Sequence, residues 1–185
     1  MDVNVTLLYA VLMTAEPRED AKRLAFDPID AARAQWAHNG WAEAADGMAV
    51  ITSLMRAHQI VLARVEATLR PLGVTFARYE VLMLLWFSSR GTLPMKVIAS
   101  RLQVHPTSVT NAVDRLEDAG LVTRSTHPDD RRAVIVALTR GGRELAERAT
   151  AALNAEVFER PDLTDADLRD LFEVLSRLRS TAGDF

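Results

Sequence analysis

At Gly120 the spacing of apolar residues changes from steps of three and four to steps of two. Upstream, in PTSVTNAVDRLEDAG (106–120), Val109, Ala112, Val113 and Leu116 fall on one helical stripe. Pro106 suits the first helical turn, where an N–H has no intrahelical partner, and Gly120 suits the left-handed position just past the end. Leu121 then packs back on the last turn, as in a Schellman ending. Downstream, LVTRS (121–125) and AVIVALT (133–139) are rich in β-branched residues and joined by the charged turn THPDDRR. That pattern predicts a β-hairpin. Just before the first helix, PMKVIASRL (94–102) reads as a two-turn helix with Val97, Ile98 and Leu102 inward, and QVH (103–105) as a tight connection. A helix–turn–helix followed directly by a hairpin is the element order of a winged helix.

The flanks are helical. FARYEVLMLLWFSS (76–89) is apolar nearly all round after Glu80, which predicts a helix at the centre of the domain. In MAVITSLMRAHQIVLARVEATL (48–69) apolar residues recur at steps of three and four until Pro71 and Gly73. PIDAARAQWAHNGW predicts a helix from Pro28 with Ile29, Ala32, Trp36 and Trp41 on its inward side. Thr139 is placed to cap a helix running to about residue 158, and Thr164 with Asp167 has the spacing of a capping box for a last helix. The expected fold is mostly α with a small β-hairpin wing, a winged helix-turn-helix core flanked by N- and C-terminal helices.

Composition removes several chemistries. The 185 residues contain no cysteine, which excludes disulfides, thiol catalysis and Cys-ligated zinc. His38, His58, His105 and His127 lack metal-ligand spacing, and no paired carboxylates, nucleophile–base arrangement or glycine-rich phosphate loop stands out. No enzyme, metal or cofactor is therefore expected. The stretch VNVTLLYAVLMTA (3–15) is too short to span a bilayer and lacks a basic leader, so a cytoplasmic protein without membrane partners is expected. A strand, a dimer-swapped arm and a misassigned start all remain open for it. The net charge of −3 is unevenly distributed. Basic residues outnumber acidic ones 5 to 2 over 47–91 and 7 to 5 over 92–140, whereas both ends are acidic. Phosphate contacts are local, so such a chain can bind nucleic acid through its centre.

Opposite the apolar stripe of 106–119 stand Thr107, Ser108, Thr110, Asn111, Asp114, Arg115 and Asp118. Hydroxyl groups reach phosphates or base edges, Asn pairs bidentately with adenine and Arg with guanine. Small polar residues near a helix start also serve as caps, so this face alone does not separate the two roles. The hairpin adds Arg124, Arg131 and Arg132, with Asp130 placed to fix Arg132 by a salt bridge. A basic wing of this kind enters a minor groove, although Asp and Arg are also common in solvated turns. Together the two elements predict DNA binding through Pro106, Thr107, Ser108, Thr110, Asn111, Arg115, Arg124, Asp130, Arg131 and Arg132.

From Met48 to about Thr150 the chain resembles the MarR family of winged helix-turn-helix regulators. The resemblance is carried by IASRLQVHPTSVTNAVDRLEDAGLVTR and by HPDDRRAVIVALTRGG, an acidic residue, Arg-Arg and alternating apolar residues ending in Leu-Thr. The turn reads Leu-Gln-Val where the family commonly has Leu-Gly-Val, and an extension of roughly 45 residues precedes the family's minimal length. The resemblance implies 1–46 as an extension of open role, 47–160 as the MarR-type domain with its DNA-binding core at 92–139, and 161–185 as a C-terminal dimerisation helix. It further implies a homodimer on a pseudo-palindromic double-stranded DNA operator, acting as a repressor released by a small effector such as an aromatic anion. Trp36, Trp41, His58, Arg78 and Trp86 are the candidate effector lining, although tryptophans and a histidine at helical spacing more often serve as core, and Arg78 suits a solvated first turn. The alternative is a winged-helix protein-interaction module that does not bind DNA.

Overall fold

The computed structural model describes residues 24–126 and 133–185. It packs as two units, residues up to Ala63 and Arg64–Phe185. Element order is α1 (Pro28–His38), α2 (Ala42–Leu69), a short 3-10 turn (Arg70–Leu72), α3 (Phe76–Phe87), β1 (Thr92–Pro94), α4 (Met95–Leu102), α5 (Pro106–Asp118), β2 (Val122–Thr126), β3 (Val134–Leu138), α6 (Arg140–Leu153) and α7 (Asp165–Thr181). The fold class matches the expectation, mostly helical with a small antiparallel sheet.

In the first unit, Asp27 caps α1 by accepting from Ile29 N–H at 2.8 Å, and Ile29 and Ala32 are buried. Trp41 departs from the expected inward position and is 54% exposed. Gly40, in the left-handed region (φ 87°), closes α1, so Trp41 lies between α1 and α2 and outside the α1 period. Trp41 meets Trp36 only edge-on, with ring centroids 5.2 Å apart.

The second unit holds the main core. Leu82 and Leu85 of α3 pack with Ile98 of α4, Val109, Val113 and Leu116 of α5, Val136 of β3 and Leu153 of α6, all fully or almost fully buried. Each such aliphatic side chain contributes roughly 1.5–3 kcal/mol by leaving water. Glu66 of α2 joins this unit by accepting the Phe76 N–H at 2.9 Å, which caps α3 from outside the helix.

The sheet has three strands in the order β1-β3-β2, one more than the hairpin expected from sequence. β1 is only TLP, too short for a period to show. It forms because Leu93 pairs with Val136, and its proline is tolerated on an edge strand. The wing strands pair in register from Val122↔Leu138 to Thr126↔Val134. α6 gives way at Leu153 to a five-residue π-helical segment, Asn154–Phe158, closed by Glu159 N–H on Asn154 C=O at 3.0 Å. The α7 capping box forms as expected: Thr164 and Asp167 exchange backbone and side-chain hydrogen bonds. Those bonds hold the Asp167 carboxyl below its ordinary range.

Candidate nucleic-acid interface

α5 is the centre of the site. Pro106 takes the first helical position, and His105 before it is the cap, its Nδ1 accepting the Thr107 N–H at 3.3 Å. At the other end Gly120 has φ 69°, Gly120 N–H donates to Glu117 C=O and Leu121 N–H to Leu116 C=O. This is the Schellman ending expected from the sequence. With Val109, Val113 and Leu116 buried, Thr107, Ser108, Thr110, Asn111 and Arg115 all lie on the exposed side. Arg115 has no ion-pair partner among the described residues.

Three contacts lock the wing onto α5. Arg124 on β2 forms an ion pair with Asp114, its Nε lies 3.5 Å from Glu117 Oε2, and its backbone N–H donates to Glu117 Oε1 at 3.0 Å. At the far end of the hairpin Thr139 N–H donates to Leu121 C=O at 3.1 Å. The Thr139 hydroxyl lies 2.9 Å from the carbonyls of both Gly120 and Leu121 and accepts the Gly142 N–H at 3.0 Å, capping α6. One threonine thus ties the turn after α5 to the exit of the wing. Asp130, Arg131 and Arg132 lie outside the described residues, as does the apolar stretch 3–15.

Sequence reasoning missed His105, Gln103 and Glu117. The pairing of X-Pro with a polar X was the available signal for the His105 cap. Gln103 occupies the left-handed region (φ 52°, ψ 33°) as the residue closing α4, and Glu117 acts through a contact that no local pattern encodes.

Four of the five candidate effector residues have other engagements. Trp36 packs on Trp41, and His58 is exposed on α2. Arg78 Nε donates to Thr75 Oγ1 at 3.1 Å, and Trp86 lies under the Arg143 guanidinium, 4.7 Å from the ring centroid. A shallow groove in the first unit is lined by Asp30, Arg33, Ala34, Ala37, Ala42, Ala45 and Asp46, none of them among these candidates. No group of three or more His, Asp or Glu residues among the described residues is arranged to hold a metal. Among the described residues no helix is long and apolar enough to cross a membrane.

Two short helices, with α5 presenting a polar face and braced by a hairpin, define a winged helix-turn-helix protein. Comparison with known proteins then places the chain. The MarR family model matches residues 74–134. An HTH-type transcriptional repressor from Mycobacterium bovis is 33% identical over 130 residues, 69% of this chain and 91% of the relative. The crystal structure of Sco5413, a MarR family transcriptional regulator from Streptomyces coelicolor, is 48% identical and covers 76% of this chain and 97% of its own, with a TM-score of 0.70. Sco3205, a MarR family regulator from the same organism whose crystal structure is a complex with DNA, is 27% identical over 71% of this chain and 84% of its own, with a TM-score of 0.64. The chain belongs to the MarR family and is a transcriptional regulator, not an enzyme.

Proposed function

We propose that this regulator is a sequence-specific, homodimeric DNA-binding repressor. The observation that carries the reading is α5 itself. Its apolar stripe is sealed into the core, while Thr107, Ser108, Thr110, Asn111 and Arg115 stand on one open face behind a braced wing. In this reading the start of α5 enters the major groove, Asn111 and Arg115 read bases, and Thr107, Ser108 and Thr110 meet phosphates or base edges. Pro106 sets the first turn. Asp130, Arg131 and Arg132 form the wing tip that enters the neighbouring minor groove, and Arg124 serves by bracing β2 on α5. Repression is supported by the name of the Mycobacterium bovis relative, and DNA binding by the Sco3205 complex.

Dimerisation is supported by apolar surface that a monomer leaves wet. On α7, Leu168, Leu171, Phe172, Val174 and Leu178 are exposed, and on α2 so are Ile51, Met55, Ile60 and Val61. Patches of that kind are buried by oligomerisation. Two copies then present two reading helices to one pseudo-palindrome, with half-sites about one helical turn apart. Residues 161–185 act as the dimerisation helix, 47–160 as the MarR-type domain and 92–139 as its DNA-binding core, with 1–46 an appended extension.

Release by a small aromatic anion, with Trp36, Trp41, His58, Arg78 and Trp86 as lining, belongs to the same reading and rests on the family resemblance. The deciding experiment is genome-wide mapping of bound DNA, followed by gel-shift titration of the recovered operator. Arg115→Ala and Asn111→Ala should erode the preference for operator over unrelated DNA, and Arg132→Ala should weaken both together. No retarded band at low salt would favour a winged-helix module that grips another protein.

A further inference from the structure

Gln103 sits in the turn between α4 and α5 with φ 52°, a region that favours glycine because a Cβ is penalised there. The resembling family commonly places glycine at this position, so a glutamine here needs a reason. Its side chain supplies one. Gln103 Nε2 donates to the backbone carbonyl of Asp184 at 3.3 Å, across 81 residues of sequence.

The acceptor is a built structure beyond α7. Gly183 (φ 76°) turns the chain back, and Asp184 N–H donates to Arg179 C=O at 3.0 Å. Arg179 Nε donates to Asp184 Oδ2 at 2.6 Å, and the same guanidinium lies over the Phe185 ring at 5.2 Å. The Asp184 side chain is only 23% exposed. Arg179 belongs to α7, the helix whose apolar face the dimer reading buries. Gln103 therefore connects the pivot of the reading head to the end of the dimerisation helix by one side chain.

We propose that Gln103 is a specificity-determining positioning residue, which through Asp184 fixes the reading head relative to α7 and so sets the half-site spacing the dimer accepts. The inference rests on the dimeric, DNA-binding reading above. The turn is the right place for such control, since holding it holds both α4, which ends there, and α5, which starts three residues on.

The test uses the full chain, the mapped operator, and versions with one or two base pairs added or removed between half-sites. Gln103→Glu keeps length and Cβ but removes the donor, Gln103→Gly removes the donor and relieves the backbone, and Arg179→Ala frees Asp184. All three should lose about three- to tenfold of the preference for native spacing. Affinity for an isolated half-site should stay at the wild-type value, and Gln103→Gly should unfold at no lower temperature than wild type. Wild-type spacing preference in both Gln103 variants would overturn the proposal. Failure of the wild-type protein to bind any version would instead overturn the DNA-binding reading.

Discussion

Arg124 of the first wing strand is ion-paired with Asp114 of α5, and Glu117 one turn further on receives the Arg124 backbone N–H. One cation is therefore shared between two carboxylates and is only 25% exposed. Arg124→Ala should lower stability by about 1–3 kcal/mol, because it leaves Asp114 and Glu117 facing one another without the guanidinium. In urea unfolding, Arg124→Ala with Asp114→Ala together should cost less than the sum of the two. Charge already neutralised within the protein releases few counterions from DNA, so the salt slope of DNA binding should hardly change in Arg124→Ala. It should become shallower in Arg115→Ala. Equal slopes for the two variants would refute the distinction between a brace and a DNA contact.

Gly142, in the first turn of α6, has no room for a side chain. A Cβ there would lie 2.1 Å from the Leu121 carbonyl oxygen and 2.8 Å from Leu138 Cδ1. The first obstacle is backbone already held by Thr139. Gly142→Ala should therefore reach or exceed the top of the ~1–3 kcal/mol range for overpacking, despite the better helix propensity of alanine. Gly141→Ala, whose Cβ would meet only Thr139 Oγ1 at 3.8 Å, is the control and should be neutral or slightly stabilising in the same thermal unfolding assay.

The outcome at these residues explains what sequence reasoning reached and what it did not. The bounds and ending of α5, the Thr139 cap and the Thr164–Asp167 box all arise from partners within five residues. Local chemistry specifies them, and the structure reproduces them. β1 escaped notice because three residues carry no period and exist as a strand only through β3. The Arg124–Asp114 and Gln103–Asp184 contacts bridge 10 and 81 residues and depend on how elements pack. Helical spacing predicts Trp41 inward, but α1 ends at His38 and Gly40 closes it, so Trp41 falls outside that period.

Glu80 of α3 is partly buried, and that desolvation raises its carboxyl pKa above the ordinary value of 4.5. For an acid raised by folding, the neutral form is favoured in the native state. Stability is therefore highest below the unfolded-state pKa and is lost as pH rises through the folded one. Glu80→Gln removes this loss. It should raise the melting temperature at pH 7.5 and have little effect near pH 3.5. A gain of the same size at both pH values would show that the substitution acts through packing and not through ionisation.

Arg64 of α2 braces the corner from which α7 departs. Its Nη2 donates to the Glu156 carbonyl at 2.5 Å in the π-helical segment, and its Nη1 lies 3.2 Å from Asp162 Oδ2 in the α6–α7 connection. Asp162 itself has φ 57°, so the corner carries backbone strain that the arginine helps to hold. The Asp162 pair is largely exposed and contributes little by itself. The geometric consequence is larger, because a small change at this corner is magnified along the 17 residues of α7. Arg64→Ala should weaken self-association measured by sedimentation equilibrium while leaving the melting of the winged core nearly unchanged. Phe172→Asp, which places a charge on the 70% exposed ring position of α7, should dissociate the dimer outright. If Phe172→Asp sediments like wild type, α7 is not the dimer face, and the Arg64 corner has no assembly to govern.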